Sequence, residues 1–190
     1  MPGYCDLHSH TLCSDGVLSP EALVDLAATR RVAALAVTDH DTVEGLDAAC
    51  ARGVELGIEV VPGIELSIEE GSMDVHLLGY FVSRPAVLAD ALAEIRRERV
   101  TRARRIVERL RELGYELEYA AVAARARGGV VGRPHVAEEM VARGHVASLN
   151  DAFDRWLGAD RPAYIAKRSV GLAAGAALLR AAGAVPVVAP

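Results

Sequence analysis

The chain has 190 residues, 52% hydrophobic and 25% charged, which is ample for one compact domain or one domain with a modest insertion, and too apolar for a disordered or fibrous chain. Aromatics make up only 4% while Ala, Val, Leu and Gly dominate, a mix that favours helices packed on a sheet over an aromatic-rich β-sandwich. With 21 Lys+Arg against 26 Asp+Glu the formal charge is −5, which excludes a general polyanion binder and leaves room for a local basic patch.

Tyr4 to Leu7 reads as a first strand. Ser19 is a helix N-cap with Pro20 at the first helical position, followed by EALVDLAATR. Ala33 to Thr38 (AALAVT) is a short apolar run typical of a strand buried on both faces, and Thr42 is expected to cap a second helix that ends at Gly57. Ile58 to Ile64 is a third strand. Strands alternating with helices at this spacing predict consecutive βαβ units, a parallel sheet with right-handed crossovers. Val75 to Val82 (VHLLGYFV) is a fourth strand.

The alternation then breaks. Arg84 to Leu113 reads as one long helix stopped by Gly114, followed by helical pieces at Tyr119 to Arg127, Pro134 to Arg143, and Asn150 to Leu157 behind a Ser148 cap. Residues 84–166 are thus expected to form a helical insertion, with residues 1–83 and 167–190 forming the sheet-containing domain. Ser169 to Ala182 resembles another sheet-packing helix with Gly183 behind it, and Val185 to Ala189 the start of a further strand.

Active sites of parallel α/β folds gather at the carboxyl ends of the strands. Strand one ends in His8-Ser9-His10, and because strand side chains alternate, both imidazoles point to one side. Asp15 follows in a Ser-Asp-Gly turn that can fold back over them. Strand two ends in Thr38-Asp39-His40-Asp41-Thr42, strand three in Gly63-Ile64-Glu65, and His76 opens strand four. Taken singly, a histidine at a strand end is an ordinary hydrogen-bonded residue, Asp15 a turn former and Glu65 a solvated loop carboxylate. Together, four histidines and two carboxylates at one rim would crowd like charges without cations, which predicts a multinuclear metal site. Mixed imidazole and carboxylate ligands suit Mn²⁺, Zn²⁺ or Fe²⁺ rather than Ca²⁺.

HSHTLCSDG, AVTDHDT, PGIE and HLLGY, in this order and spacing, resemble the polymerase-and-histidinol-phosphatase (PHP) family of metal-dependent phosphoesterases, in particular its nucleoside 3′,5′-bisphosphate phosphatase and 5′→3′ exonuclease branch. The likeness covers residues 4–82 strongly and more loosely the segment Gly132-Arg133-Pro134-His135. It implies a distorted (β/α)₇ barrel, here incomplete at the C-terminus and carrying the helical insertion. It also implies two or three divalent metals, Mn²⁺ first with Zn²⁺ or Fe²⁺ as alternatives, held by His8, His10, Asp15, His40, Glu65 and His76. Glu65 would bridge two of them, and Glu65 and Asp15 would be the catalytic pair. Two departures stand out. The branch usually carries a histidine just before the proline of the strand that here reads VPVVAP, and an Asp-x-His pair further on. Both are missing, and a fragment is expected because a lone strand at Val185 would leave an open apolar edge.

On the long predicted helix, Leu88, Leu92, Ile95, Ile106, Leu110 and Leu113 form an apolar stripe. Arg99 falls on it with Arg102 as its i+3 neighbour, and Arg96 to Arg111 holds eight Arg against two Glu. A solvated basic face is the ordinary reading. A guanidinium on an apolar stripe needs an anion, however, so Arg99 and Arg102, with Arg133 and His135 at a helix start, are candidate binders of a substrate phosphate. His145, in a Gly-His turn, reads as surface.

The expected activity is phosphoester hydrolysis by a metal-activated water on a small phosphorylated nucleotide or the 5′ end of a short oligonucleotide, with no stable duplex nucleic-acid partner. Two other classes remain open. One is a degenerate PHP domain that binds metal and nucleotide without catalysis. The other is an amidohydrolase acting on C–N bonds, which usually wants a carboxylated lysine. Lys167 is the sole lysine and lies outside the motif strands. The opening MPGYCDLHSH has neither a basic n-region nor an apolar h-region, and no apolar run approaches the ~18 residues of a membrane span, so no membrane partner and a cytoplasmic location are expected. Cys5, Cys13 and Cys50 make no CxxC pair and argue against a disulfide framework.

Overall fold

Ser19 opens the first helix as its position predicts: Oγ accepts the Ala22 N–H at 3.2 Å and Pro20 begins the helical run. In the computed structural model, which describes residues 3–70, 73–166 and 170–189, strand β1 (Tyr4–Asp6) leads to this helix α1 (Pro20–Thr29), then β2 (Val32–Val37), α2 (Leu46–Leu56), β3 (Glu59–Glu70) and β4 (Met73–Tyr80). A 3₁₀ turn at Pro85–Leu88 enters the long helix α3 (Ala89–Glu112). Helices α4 (Tyr119–Arg125), α5 (Arg133–Ala142) and α6 (Leu149–Ala152), with a π turn at Phe153–Leu157, precede α7 (Leu172–Ala181) and β5 (Val185–Val188). Among the described residues the strands form one sheet in the order β1-β2-β3-β4-β5. Lys167, Ser169 and Pro190, which enter the sequence expectations above, lie outside the described residues.

Strands β1, β2 and β3 pair in parallel, whereas β4 pairs antiparallel to β3, and β5 antiparallel to β4. The parallel βαβ expectation therefore holds for the first three strands and stops there. A parallel crossover needs a dozen or more residues, and too few lie between β3 and β4 to supply one. The helix expected from Thr42 starts instead at Leu46 behind Gly45. Thr42 Oγ1 accepts the Glu44 N–H at 3.3 Å, capping a local turn rather than the helix. Gly57 ends α2 in the left-handed region, φ +68°, as its position predicts.

The chain forms two compact units, Met1–Ile95 with Ser169–Pro190, and Arg96–Arg168. The first has its core between the sheet and its helices: Val24 and Ala27 of α1, Ala49 of α2, Ile64, Leu66 and Ile68 of β3, Leu88, Leu92 and Ile95, and Leu179 of α7. Gly79 packs closely here: a Cβ would fall 2.6 Å from Leu179 Cδ2 and displace that side chain. The second unit is all helical, built around Ala103, Ile106, Val107, Leu110, Val122, Val136, Met140 and Leu157.

Inside the helical unit Glu139 is buried and bonded by Arg125 Nε and Arg143 Nε, both at 2.7 Å. Burial pushes its carboxyl up, but the hydrogen bonds from Arg143 and Arg125 outweigh this and hold it below the usual range. A depressed folded value means that the stabilisation is present above the unfolded carboxylate range, about pH 4.3, and is lost as pH falls through the folded value. Glu139→Gln is expected to cost about 2 kcal/mol near neutral pH, the low end for charge-assisted bonds because both arginines are partly exposed. Melting curves of variant and wild type should converge in acid. A gap of equal size at every pH would assign the loss to packing instead.

Candidate metal centre

Alternation along β3 sends Ile64, Leu66 and Ile68 into the helix-packed core and places Glu65 and Ser67 on the opposite face. Ser67 is opposite His76 in the β3–β4 register, so His76 is a diagonal, same-face neighbour of Glu65. His40 lies beside Glu65 across a parallel bridge, in which Glu65 N–H donates to Asp39 O at 3.1 Å and Asp41 N–H to Glu65 O at 3.0 Å. Asp41 then turns into the left-handed region, φ +52°, and its Oδ1 accepts the Ser67 N–H at 2.8 Å, so a side chain closes the ladder where the backbone leaves it. β1 is prolonged in a similar way. Thr38 N–H donates to Ser9 O at 2.9 Å, Ser9 N–H donates to Thr38 Oγ1 at 3.2 Å, and Ser9 Oγ donates to Ala36 O. This fixes Ser9 and sends His8 and His10 toward Glu65.

Glu65 is 1% exposed. Its Oε2 has His8 Nε2 at 3.0 Å, His10 Nε2 at 3.2 Å and His40 Nδ1 at 3.4 Å, and its Oε1 has His76 Nδ1 at 2.8 Å. Asp15 faces the other nitrogens of two of these rings: His10 Nδ1 lies 3.6 Å from Oδ1, and His40 Nε2 lies 3.6 Å from Oδ2. The structure thus brings together all six residues singled out from the sequence, five from strands or strand ends and Asp15 from a turn. Burial opposes ionisation of Glu65, but hydrogen bonds from His10 and His76 and the charge of His40 hold its carboxyl far below the usual range. Burial also lowers His10, yet the Glu65 hydrogen bond and the charges of Asp15, Glu65 and Asp39 raise it on balance.

A neutral imidazole carries one N–H and one lone pair. His10 and His40 each present both nitrogens to carboxylate oxygens, so in the neutral ring one lone pair faces an anion. His10 Nδ1 is buried and has no hydrogen-bond partner among the described residues. Two ligand atoms each about 2.1 Å from a shared ion stand roughly 3.0–3.6 Å apart at angles of 90–120°, a range that holds the His8, His10 and His40 separations, with His76 to Glu65 shorter at 2.8 Å. The residues form three overlapping groups, His8 with His10 and Glu65, His10 with Asp15 and His40, and His40 with Glu65 and His76. This donor set fits divalent metals. Ala189 N–H donates to His76 O at 2.9 Å, so the position where the resemblance implies a histidine lies beside His76 and carries only a methyl group.

Other residues at the site were not singled out from the sequence. Asp39 is buried and accepts from Thr11 N at 2.7 Å, Thr11 Oγ1 at 2.6 Å and Ser14 Oγ at 2.6 Å. Tyr80 Oη donates to Leu7 O at 2.8 Å, tying β4 to the residue before His8. Burial and then the Glu65 charge push this phenol up, which keeps it a donor. AVTDHDT and HLLGY contain Asp39 and Tyr80, but their roles depend on neighbours 28 and 73 residues away.

The candidate phosphate binders gather within the helical unit. A Cβ at Gly132 would lie 3.1 Å from Arg99 Nη1, which places this guanidinium beside the start of α5. Arg102 Nε donates to Ile165 O at 2.7 Å and Arg133 Nη1 to Leu157 O at 3.3 Å, with both guanidiniums within 6 Å of the Tyr164 ring centre. His135 is buried, and its Nδ1 accepts the Gly132 N–H at 3.0 Å, so one nitrogen is committed to capping α5. His145 is half-buried rather than simply at the surface: its ring packs on Tyr115 and its Nε2 meets Glu116 O at 3.2 Å.

The family model described as PHP domain matches residues 6–127. The chain belongs to the PHP domain family. It is 36% identical to the 5′-3′ exoribonuclease Rnm of Salmonella typhimurium over 164 residues, 84% of this chain and 56% of that protein. It is 34% identical to the 3′,5′-nucleoside bisphosphate phosphatase of Chromobacterium violaceum, over 97% of this chain and 65% of that one. A solved structure from Chromobacterium violaceum, called an amidohydrolase and holding sulfate but no metal, superposes with a TM-score of 0.91 at 31% identity, covering 98% of this chain and 66% of that one. This PHP chain therefore spans between about half and two thirds of the length of these relatives. Among its described residues no helix is long and apolar enough to cross a membrane.

Proposed function

We propose that this PHP chain is the metal-binding part of a hydrolase that cleaves phosphate esters of small nucleotides, a nucleoside 3′,5′-bisphosphate or the 5′ end of a short oligonucleotide. One observation carries the reading: His10 and His40 each hold both ring nitrogens against Glu65 and Asp15, an arrangement that divalent cations relieve. His8, His10, Asp15, His40, Glu65 and His76 would hold two or three ions, Mn²⁺ by preference given the mixed imidazole and carboxylate donors, with Glu65 shared between ions. Bound there, such ions supply Lewis acidity and a hydroxide at neutral pH. Three hydroxyls beside the histidine pair are engaged otherwise: Ser9 Oγ donates to Ala36 O, and Thr11 Oγ1 and Ser14 Oγ to Asp39. This favours water over a protein nucleophile. The names of the exoribonuclease and bisphosphate phosphatase relatives support a nucleotide substrate. The sulfate on the Chromobacterium violaceum structure supports a tetrahedral anion as ligand of this fold.

In this reading Arg99, Arg102, Arg133 and His135 hold a phosphate other than the one cleaved, so they govern substrate choice more than chemistry. Arg99→Ala is expected to lower kcat/KM for a nucleoside 3′,5′-bisphosphate by one to two decades, the worth of a ~1.5–3 kcal/mol charge-assisted contact. An aryl phosphate, with no second phosphate, should lose little. Equal losses on both substrates would make Arg99 a support of the fold, and no loss on either would return it to a solvated basic face.

A further inference from the structure

We propose that Asp39 is a positioning residue that holds Asp15 in the metal centre, an inference that rests on the metal reading above. Asp39 immediately precedes His40, and its carboxylate is met by buried donors of the loop that follows His10. Thr11, Ser14 and Asp39 are each no more than 2% exposed. One carboxylate oxygen takes Thr11 N and Ser14 Oγ, the other Thr11 Oγ1, so it gathers both ends of the segment between His10 and Asp15. Thr11 Oγ1 in turn accepts the Cys13 N–H at 3.1 Å.

The backbone is closed independently of that carboxylate. Ser14 N–H and Gly16 N–H both donate to Thr11 O, at 3.1 and 2.9 Å, and Leu12 N–H donates to Leu18 O at 2.8 Å. A Cβ on Gly16 would fall 2.3 Å from His10 O, so the loop returns directly onto the ligand strand. Asp15 is thereby presented to His10 and His40 at 3.6 Å each. Asp39 and His40 are adjacent in the chain, so one short segment supplies a ligand and also anchors the loop that brings the facing carboxylate. Without the Asp39 acceptors, Thr11 N would be left buried without its partner, which favours opening of the loop.

Substitution by alanine and by asparagine separates positioning from general support. Asparagine can keep Thr11 N and Ser14 Oγ on its amide oxygen and donate its NH₂ to a reversed Thr11 hydroxyl. The measurement is Mn²⁺ bound per chain at equilibrium, with far-UV circular dichroism as the folding control. Asp39→Ala should weaken the same Mn²⁺ equivalent that Asp15→Ala weakens, by at least tenfold. The double variant should lose no more than either single one. Asp39→Asn should stay within about threefold of wild type. Full Mn²⁺ binding by Asp39→Ala, or loss of a second equivalent in the double variant, would overturn the assignment. If Asp39→Ala does not fold, Ser14→Ala and Thr11→Val, each removing one hydroxyl donor, should each weaken that same equivalent about threefold, and unchanged binding in both overturns it. A wild-type chain that takes up no Mn²⁺ would overturn the metal reading itself, and the positioning role with it.

Discussion

Glu65→Gln is expected to reduce phosphate release by at least three decades, about 4 kcal/mol of transition-state stabilisation, while far-UV circular dichroism stays that of the wild type. The carboxylate is the hub of the centre, with three imidazole nitrogens on one oxygen and a fourth on the other. Glutamine keeps the shape, so Ile64 and Leu66 on the core face stay packed, but it removes the charge and replaces one oxygen with an NH₂ that cannot coordinate a metal. Whichever way the amide turns, it sets a donor against His76 or against the group of His8, His10 and His40. Mn²⁺ content should fall alongside activity. Turnover within tenfold of wild type would reduce Glu65 to a buried hydrogen-bond acceptor.

His10→Ala should have the next largest effect and act first on metal content. His10 belongs to two of the three ligand groups and, like His40, spans both carboxylates, with Glu65 at 3.2 Å and Asp15 at 3.6 Å. Removing it strips a donor from each group and leaves Asp15 facing only His40. We expect Mn²⁺ affinity to drop by about a hundredfold or more, a loss of about 2.7 kcal/mol or greater. His145→Ala, whose ring sits against Tyr115 and Glu116 O in the helical unit, should leave Mn²⁺ binding unchanged. A His10→Ala protein with full metal content and activity would show the HxH pair to be merely structural.

Five of the six clustered residues were legible in the sequence because each stands at a strand end or within a strand whose alternation could be counted: His8 and His10 two apart, His40 after an apolar run, Glu65 after Gly63-Ile64, His76 in the next strand; Asp15 comes instead from the turn that follows His10. Pro20, Ser19 and Gly57 likewise marked helix ends through local chemistry that needs no tertiary context. The reversal of β4 was less visible, since VHLLGYFV reads the same in either direction and only the short connection behind it betrays a hairpin. Thr42 misled because its hydroxyl suits a turn as well as a helix cap. Asp39 and Tyr80 were beyond reach for a different reason. A buried carboxylate and a phenol acquire their roles from Thr11, Ser14 and Leu7, which approach only once the sheet has formed.

All six clustered residues lie between His8 and His76, ahead of every residue of the helical unit, which begins at Arg96. A ribosome thus makes these six donors before any residue of the helical unit, and domains tend to fold as they emerge. The pairings of β1 through β4 are all available at that stage. What is missing is Leu179 of α7, against which Gly79 packs. Assembly of the donors and sealing of the core behind them are therefore separated by about a hundred residues of synthesis, time in which the growing chain already holds these four imidazoles and two carboxylates.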